Sequence, residues 1–170
     1  MDPLPYILSL GSNLGNRRQF LQQALGKISS LAVIIARSPV YQTRPVEMNP
    51  GTPPFLNMVA QVLSGLDPPE FLHCLQVLER ALGREPGPGR DRSRTIDIDI
   101  LFADGMVVNQ ERLVIPHPRL DQRAFVLVPL NDMAPDFVHP VRKKTVRQLL
   151  KELAAADPQV MKGVFRYRGA

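Results

Sequence analysis

The chain predicts an α+β fold, an antiparallel sheet with helices packed on it, and three observations carry that expectation. Four short stretches read as strands, three of them rich in apolar residues and one, 94–102, alternating strictly at a period of two, and two others carry apolar residues at helical spacing. These stretches follow one another as β-α-β-β-α-β over residues 6–102, the order of a ferredoxin-like split βαβ unit, which places the helices on one face of the sheet. Glycine- and proline-rich breaks separate the stretches, and a C-terminal extension follows. With 170 residues, 44% of them hydrophobic, the expectation is one domain, 1–170, with a core that needs no staples.

Tyr6-Ile7-Leu8-Ser9-Leu10 is almost wholly apolar and is expected at the centre of the sheet. Gly11 to Arg17 turns, and Asn16 caps a helix to about Ser29 with Phe20, Leu21, Ala24, Leu25 and Ile28 on its inner face. Ala32 to Tyr41 reads as the second strand. The stretch 43–54 holds Pro45, Pro50, Pro53 and Pro54, a loop long enough to be functional. Phe55 to Leu63 is the third strand, ended by Gly65. Asp67 caps a second helix with Pro68 in its first turn and Phe71, Leu72, Leu75, Leu78 and Leu82 at helical spacing; it stops at Gly83. After the loop 84–93, Arg94 to Phe102 forms the fourth strand. Asp104-Gly105 predicts a hairpin to Val107 and Val108. Leu113 to Pro118 is extended, 121–133 is helical in part with Phe125, Val126 and Leu130 inward, and Thr145 caps a helix to Ala155. Beyond Asp157 no pattern is legible.

Composition narrows the function. A net charge of +5 and a pI near 9.8 fit an anionic partner without separating a nucleotide from a nucleic acid. The single cysteine, Cys74, excludes an internal disulfide and a cysteine-based zinc site; inside a helical pattern it reads as a buried thiol. The N-terminus has no basic region leading into an apolar run, and no window approaches the roughly 18 apolar residues of a membrane span, so a cytoplasmic protein is expected.

Chemistry concentrates in the fourth strand. In Thr95-Ile96-Asp97-Ile98-Asp99-Ile100 the polar residues share one face and the isoleucines the other. Aspartate is depleted in strands. On one face the Asp97 and Asp99 Cα atoms lie about 6.6 Å apart, since a strand rises about 3.3 Å per residue. That pair suits hard divalent cations, and Mg²⁺ takes one or two carboxylates plus phosphate oxygens. Arg80, Arg84, Arg90, Arg92 and Arg94 face only Glu85 and Asp91 in the preceding stretch. A carboxylate pair beside an arginine-rich loop fits a metal-bound polyphosphate, with guanidiniums clamping the oxygens. The alternative reading of Asp-x-Asp alone is a wet, amphipathic edge strand.

His117, fixed between Pro116 and Pro118 with Arg119 and Arg123 after it, is either a phosphate donor or a structural turn residue. His73 reads as core or surface, and His139 carries no assignment. Gly11-Ser12-Asn13-Leu14-Gly15 lacks the Lys-Ser/Thr of a P-loop, and Gly87-Pro88-Gly89 has no third glycine at position 92. A nucleotide would therefore be held by side chains, metal and a closing loop. Phe55 and Asn57 form a weak signal for an aromatic pocket with a polar anchor.

Together Leu10-Gly11-Ser12-Asn13-Leu14-Gly15, Phe55-Leu56-Asn57, Arg94 to Ile100, Pro116-His117-Pro118-Arg119-Leu120 and Arg123 to Leu130 resemble the 6-hydroxymethyl-7,8-dihydropterin pyrophosphokinases of the folate pathway, over residues 6 to about 140. The resemblance implies transfer of pyrophosphate from ATP to the pterin hydroxymethyl group by a monomer. It implies that Asp97 and Asp99 hold two Mg²⁺ ions and that Arg84 and Arg94 contact the phosphates. It places Gln76, Glu79, Ile100, Arg112, His117 and Arg123 at the ATP, and Gly11, Thr43, Phe55, Asn57, Asp97 and Phe125 at the pterin. Asp91-Arg92-Ser93 stands where members carry Trp-Gly-Pro, and the chain has no tryptophan. Arg90 or Arg92 is the expected substitute.

Two rival classes exist. A basic ferredoxin-like domain can hold RNA on its sheet face, but it needs exposed strand aromatics, and this chain is 6% aromatic with no such run. A metal-dependent nuclease would need further clustered acidic ligands. No nucleic-acid partner is expected.

Overall fold

The computed structural model describes residues 2–45, 50–85 and 93–169. Strand β1 (Leu4–Ser12) lies between β4 (Phe55–Ser64) and β5 (Asp97–Ala103), antiparallel to both. The outer edge of β4 carries two strands in tandem, β2 (Val33–Arg37) and β3 (Tyr41–Thr43). The expected strand Ala32–Tyr41 is divided at Ser38-Pro39. Ser38 pairs twice with Val59, its N–H donating to the carbonyl at 2.9 Å and its Oγ accepting from the amide at 3.0 Å. Pro39 has no N–H to continue the ladder.

Helix α1 (Arg17–Ile28) starts where Asn16 accepts from the Gln19 amide, and α2 (Pro68–Ala81) where Asp67 accepts from that of Glu70. Both caps are the expected ones. The two helices bury Leu21, Ala24, Ile28, Phe71 and Leu75 against Tyr6, Leu8, Leu10, Met58 and Ile98. The Tyr6 and Phe71 rings lie 4.5 Å apart, and the Tyr6 hydroxyl donates to the Leu66 carbonyl at 2.7 Å.

Helices cover both faces of the sheet, not one. Helix α3 (Ala124–Met133) and helix α4 (Val146–Ala156) pack Val126, Leu127, Leu130 and Leu149 against Ile7, Val59, Leu101 and Phe102. The register of β1 on β5 passes from Ile7↔Phe102 to Leu8↔Ile100, so Leu101 is the extra residue of a bulge. That bulge turns two successive side chains into the second core. Thr145 and Gln148 cap α4 reciprocally.

Asp104-Gly105 does reverse the chain, with Asp104 at φ 50°, but β6 (Val108–Gln110) does not return along β5. It pairs instead with β7 (Leu113–Ile115), the Ile115-Pro116 bond being cis. The C-terminus, where no pattern was legible, forms a 3₁₀ turn (Val160–Gly163) and strand β8 (Val164–Arg166) on the free edge of β3.

Candidate active site

The antiparallel register sets side chains of four strands in rows across the sheet. One row runs Asp97, Gly11, Asn57, Tyr41; the next runs Asp99, Ser9, Val59. Ile98 and Ile100 enter the core under α1 and α2, so both aspartates lie on the opposite face, as the alternation requires.

The Asp97 Oδ1 atom lies 2.9 Å from an Nη1 of both Arg84 and Arg94. Arg84 also pairs with Glu79. Glu79 is 4% exposed, and its Oε1 accepts the Ile98 amide at 2.6 Å, so this one carboxylate ties α2 to β5 and anchors Arg84. Burial pushes the Glu79 carboxyl above its ordinary range, against the pull of Arg84 and the Ile98 amide. Arg94 is fixed by its backbone, its N–H donating to Asn13 Oδ1 at 2.6 Å and its carbonyl accepting from the Asn13 amide at 3.0 Å.

Desolvation and the Asp97 charge push the Asp99 carboxyl up to about 7, with Arg123 opposing. The Asp99 side chain is 41% exposed, so water on the open side moderates that shift. His117 Nε2 lies 3.9 Å from Asp99 Oδ2, beyond hydrogen-bond range. Its Nδ1 accepts the Arg119 amide at 3.2 Å, leaving the proton on Nε2. Burial and the Arg123 guanidinium lower His117 to about 4, so it is a neutral donor aimed at the acidic pair.

Beside this anionic end lies a neutral pocket. Asn57, 5% exposed, donates from Nδ2 to Thr43 Oγ1 at 2.6 Å. Gly11 opposes Asn57 directly, and a Cβ there would stand 2.7 Å from Asn57 Oδ1 and 3.6 Å from Phe55 Cδ1. The first distance is a clash and the second an ordinary contact, so glycine is what leaves the Asn57 oxygen in place. At the start of α3, the Arg123 guanidinium lies 5.5 Å from the centre of the Phe125 ring. Phe125, expected inward, is half-buried at the edge of the second core.

Thus Gly11, Thr43, Phe55, Asn57 and Asp97 form one end of a cleft floor, and Arg84, Arg94, Asp97, Asp99 and His117 the other. Gln76 and Arg112 are exposed, on α2 and in the β6–β7 turn, and join none of these contacts among the described residues. The Ile100 side chain is in the core, so only its backbone faces the cleft side. Arg90 and Arg92 lie outside the described residues.

Asn13, which no sequence motif marks as a site residue, has a further part. Besides holding Arg94, its Nδ2 donates to the Ser93 Oγ at 3.1 Å and the Pro53 carbonyl at 3.3 Å, and Arg17 bonds the Pro54 carbonyl at 2.7 Å. Asn13 therefore joins the ends of both long loops at 2% exposure. An asparagine between two glycines reads as turn chemistry from sequence; nothing local marks it as a junction.

Two carboxylates on one strand face, with arginines at hand, fit magnesium, which draws its remaining oxygens from phosphate and water. Among the described residues no group of three or more such side chains gathers here.

The chain is 41% identical over 137 residues to the Porphyromonas gingivalis 2-amino-4-hydroxy-6-hydroxymethyldihydropteridine pyrophosphokinase, covering 78% of this chain and 92% of that protein. It is 38% identical over 155 residues to the Pneumocystis carinii folic acid synthesis protein fol1, covering 88% of this chain but only 20% of that one. A solved structure of Plasmodium falciparum HPPK-DHPS with pterin and p-hydroxybenzoate superposes with a TM-score of 0.78 at 18% identity, over 98% of this chain and 45% of that one, and shares its fold. The family model for 7,8-dihydro-6-hydroxymethylpterin-pyrophosphokinase matches residues 7–135, and the chain belongs to that family.

Proposed function

We propose that the protein transfers the terminal pyrophosphate of ATP to the hydroxymethyl group of 6-hydroxymethyl-7,8-dihydropterin, releasing AMP, as a step of folate biosynthesis. The observation that carries this reading is the continuous row Asp97–Gly11–Asn57, which sets a carboxylate–arginine site directly against a glycine-floored neutral pocket. Asn57 Oδ1 is an acceptor held in place by Thr43, suited to the amino and ring N–H groups of a pterin. Phe55 and Phe125 supply apolar surface for the ring.

Asp97 and Asp99 would hold two magnesium ions, which when bound neutralise the triphosphate and polarise its phosphorus centres. Arg84 and Arg94 supply guanidinium forks to the phosphate oxygens, and reaching them means exchanging the carboxylate of Asp97 for phosphate. His117 offers a neutral N–H, and Arg123 a charge that favours a nucleotide. The pterin hydroxyl oxygen bonds to Pβ, the bond from Pβ to the αβ-bridging oxygen breaks, and AMP leaves with that oxygen. Asp97 and Asp99 are the nearest carboxylates to accept the hydroxyl proton. Closure of the loops joined at Asn13 would exclude water. No described helix is long and apolar enough to cross a membrane; a monomer in the cytoplasm completes the reading.

The test is AMP release from magnesium ATP with and without the dihydropterin. AMP that appears only with pterin, and is lost under EDTA, supports the proposal. ADP would mean ordinary kinase chemistry at the same carboxylates, and no nucleotide product would remove the proposal.

A further inference from the structure

We propose that the C-terminal strand β8 is a positioning element for the neutral pocket: it holds β3 in register, and through β3 the Thr43 hydroxyl that orients Asn57. The inference rests on the pterin reading of that pocket. β3 is only three residues long and stands between Pro39 and Pro45. One edge pairs with β4, Tyr41↔Asn57 and Thr43↔Phe55; the other pairs with β8, Thr43↔Val164 and Tyr41↔Arg166. The ladder continues past both ends, the Arg44 amide donating to the Gly163 carbonyl at 3.0 Å and the Tyr167 amide to that of Val40 at 2.8 Å. At Gly163 the two chains are in contact, a Cβ there standing 3.4 Å from Arg44 Cβ. Tyr167 then packs against the main core.

So short a strand, paired on one edge alone, would keep few hydrogen bonds besides the one its Tyr41 hydroxyl donates to Asp132, and its Thr43 end would be left open to local fraying. Its opening would move Thr43 Oγ1 away from Asn57 Nδ2, freeing that amide to turn and to misplace its Oδ1 over Gly11. β8 lies beyond residue 135, where the family match ends. Pocket geometry is thereby set partly by chain outside the matched region.

Two variants test this: a chain ending at Lys162, and full-length Tyr167→Pro, which deletes only one ladder N–H and one ring. In both, the KM for dihydropterin should rise, about tenfold for the truncation, equivalent to about 1.4 kcal/mol. The KM for ATP and kcat at saturation should stay within about twofold, a split that general destabilisation would not produce. Amide exchange at Arg44 should accelerate and the Asn57 side-chain amide resonances should shift. Unchanged pterin KM in a folded variant overturns the proposal, as do unchanged Asn57 resonances. If the truncation does not fold, Tyr167→Pro decides. If the wild type shows no pterin-dependent turnover, the functional reading falls separately, while Arg44 exchange and the Asn57 resonances still test the clasp.

Discussion

Toward α1 and α2 the central strands present Tyr6, Leu8, Leu10, Leu56, Met58, Ala60, Ile98 and Ile100, all buried and nearly all apolar. Toward α3 and α4 the same strands present Ile7, Val59 and Leu101 at one end and Ser9, Gly11, Asn57, Asp97 and Asp99 at the other. Period-two alternation lets one strand stabilise the fold with one set of side chains and hold chemistry with the next. The second face is divided: α3 and α4 pack on its apolar end, while side chains of loops and turns, Arg84, Arg94 and His117 among them, gather at its aspartate end. The first face is apolar throughout, and the polar side chains proposed to carry the chemistry lie on one half of the second.

The largest expected effect is on the polar half. Asp97→Ala and Asp99→Ala should each lower turnover about a thousandfold, the equivalent of about 4 kcal/mol of charge stabilisation. Both proteins should stay folded by circular dichroism, since both side chains are partly exposed. Retained turnover in both would remove the metal assignment. The counterpart on the apolar face is Phe71→Ala, which should cost about 3–5 kcal/mol in urea unfolding while leaving KM values near those of the wild type at a temperature where it is folded.

Gly11→Ala lies at the seam of the two regions. Its Cβ would collide with Asn57 Oδ1, so the KM for pterin should rise about tenfold and stability fall by about 1–3 kcal/mol, as overpacked positions do. The smallest effect belongs to the apolar end of the second face. His139, 6% exposed, accepts the Val141 and Arg142 amides at Nδ1 and meets the Phe102 ring edge-on. Burial chiefly, with Arg142 assisting and Asp121 opposing, lowers its pKa. The unfolded chain therefore binds a proton below about pH 6.5 that the native protein refuses. Its contribution to stability is full above that pH and is lost as the pH falls toward the depressed native value, with a slope no steeper than about 1.4 kcal/mol per pH unit. Urea midpoints of wild type and His139→Asn between pH 5 and pH 8 should converge at the acid end; parallel curves would contradict this.

The first face was the legible one. Asn16 and Asp67 announce their helices, and the isoleucines of β5 announce the core, because capping and periodicity act within a few residues. The Asp97–Asp99 face was legible for the same reason. The second face was not, since α3 and α4 meet the sheet through contacts distant in sequence, although the doubly apolar β1 already implied cover on both sides. The break at Ser38-Pro39 depended on a side-chain bond to Val59, and β8 on an edge that only the folded β3 offers. Glu79 is assigned to the nucleotide by resemblance alone; its burial and its bonds to Ile98 and Arg84, which tie α2 to β5, depend on contacts no local pattern announces.

On the proposed function, the carboxylate–arginine end and the neutral end of the site act on one reaction. The most direct measurement is the mass of the pterin after incubation with magnesium ATP. A dihydropterin carrying two phosphoryl groups, formed in step with AMP, is the predicted result. A pterin carrying one phosphoryl group, or left unmodified while ATP is consumed, would contradict it.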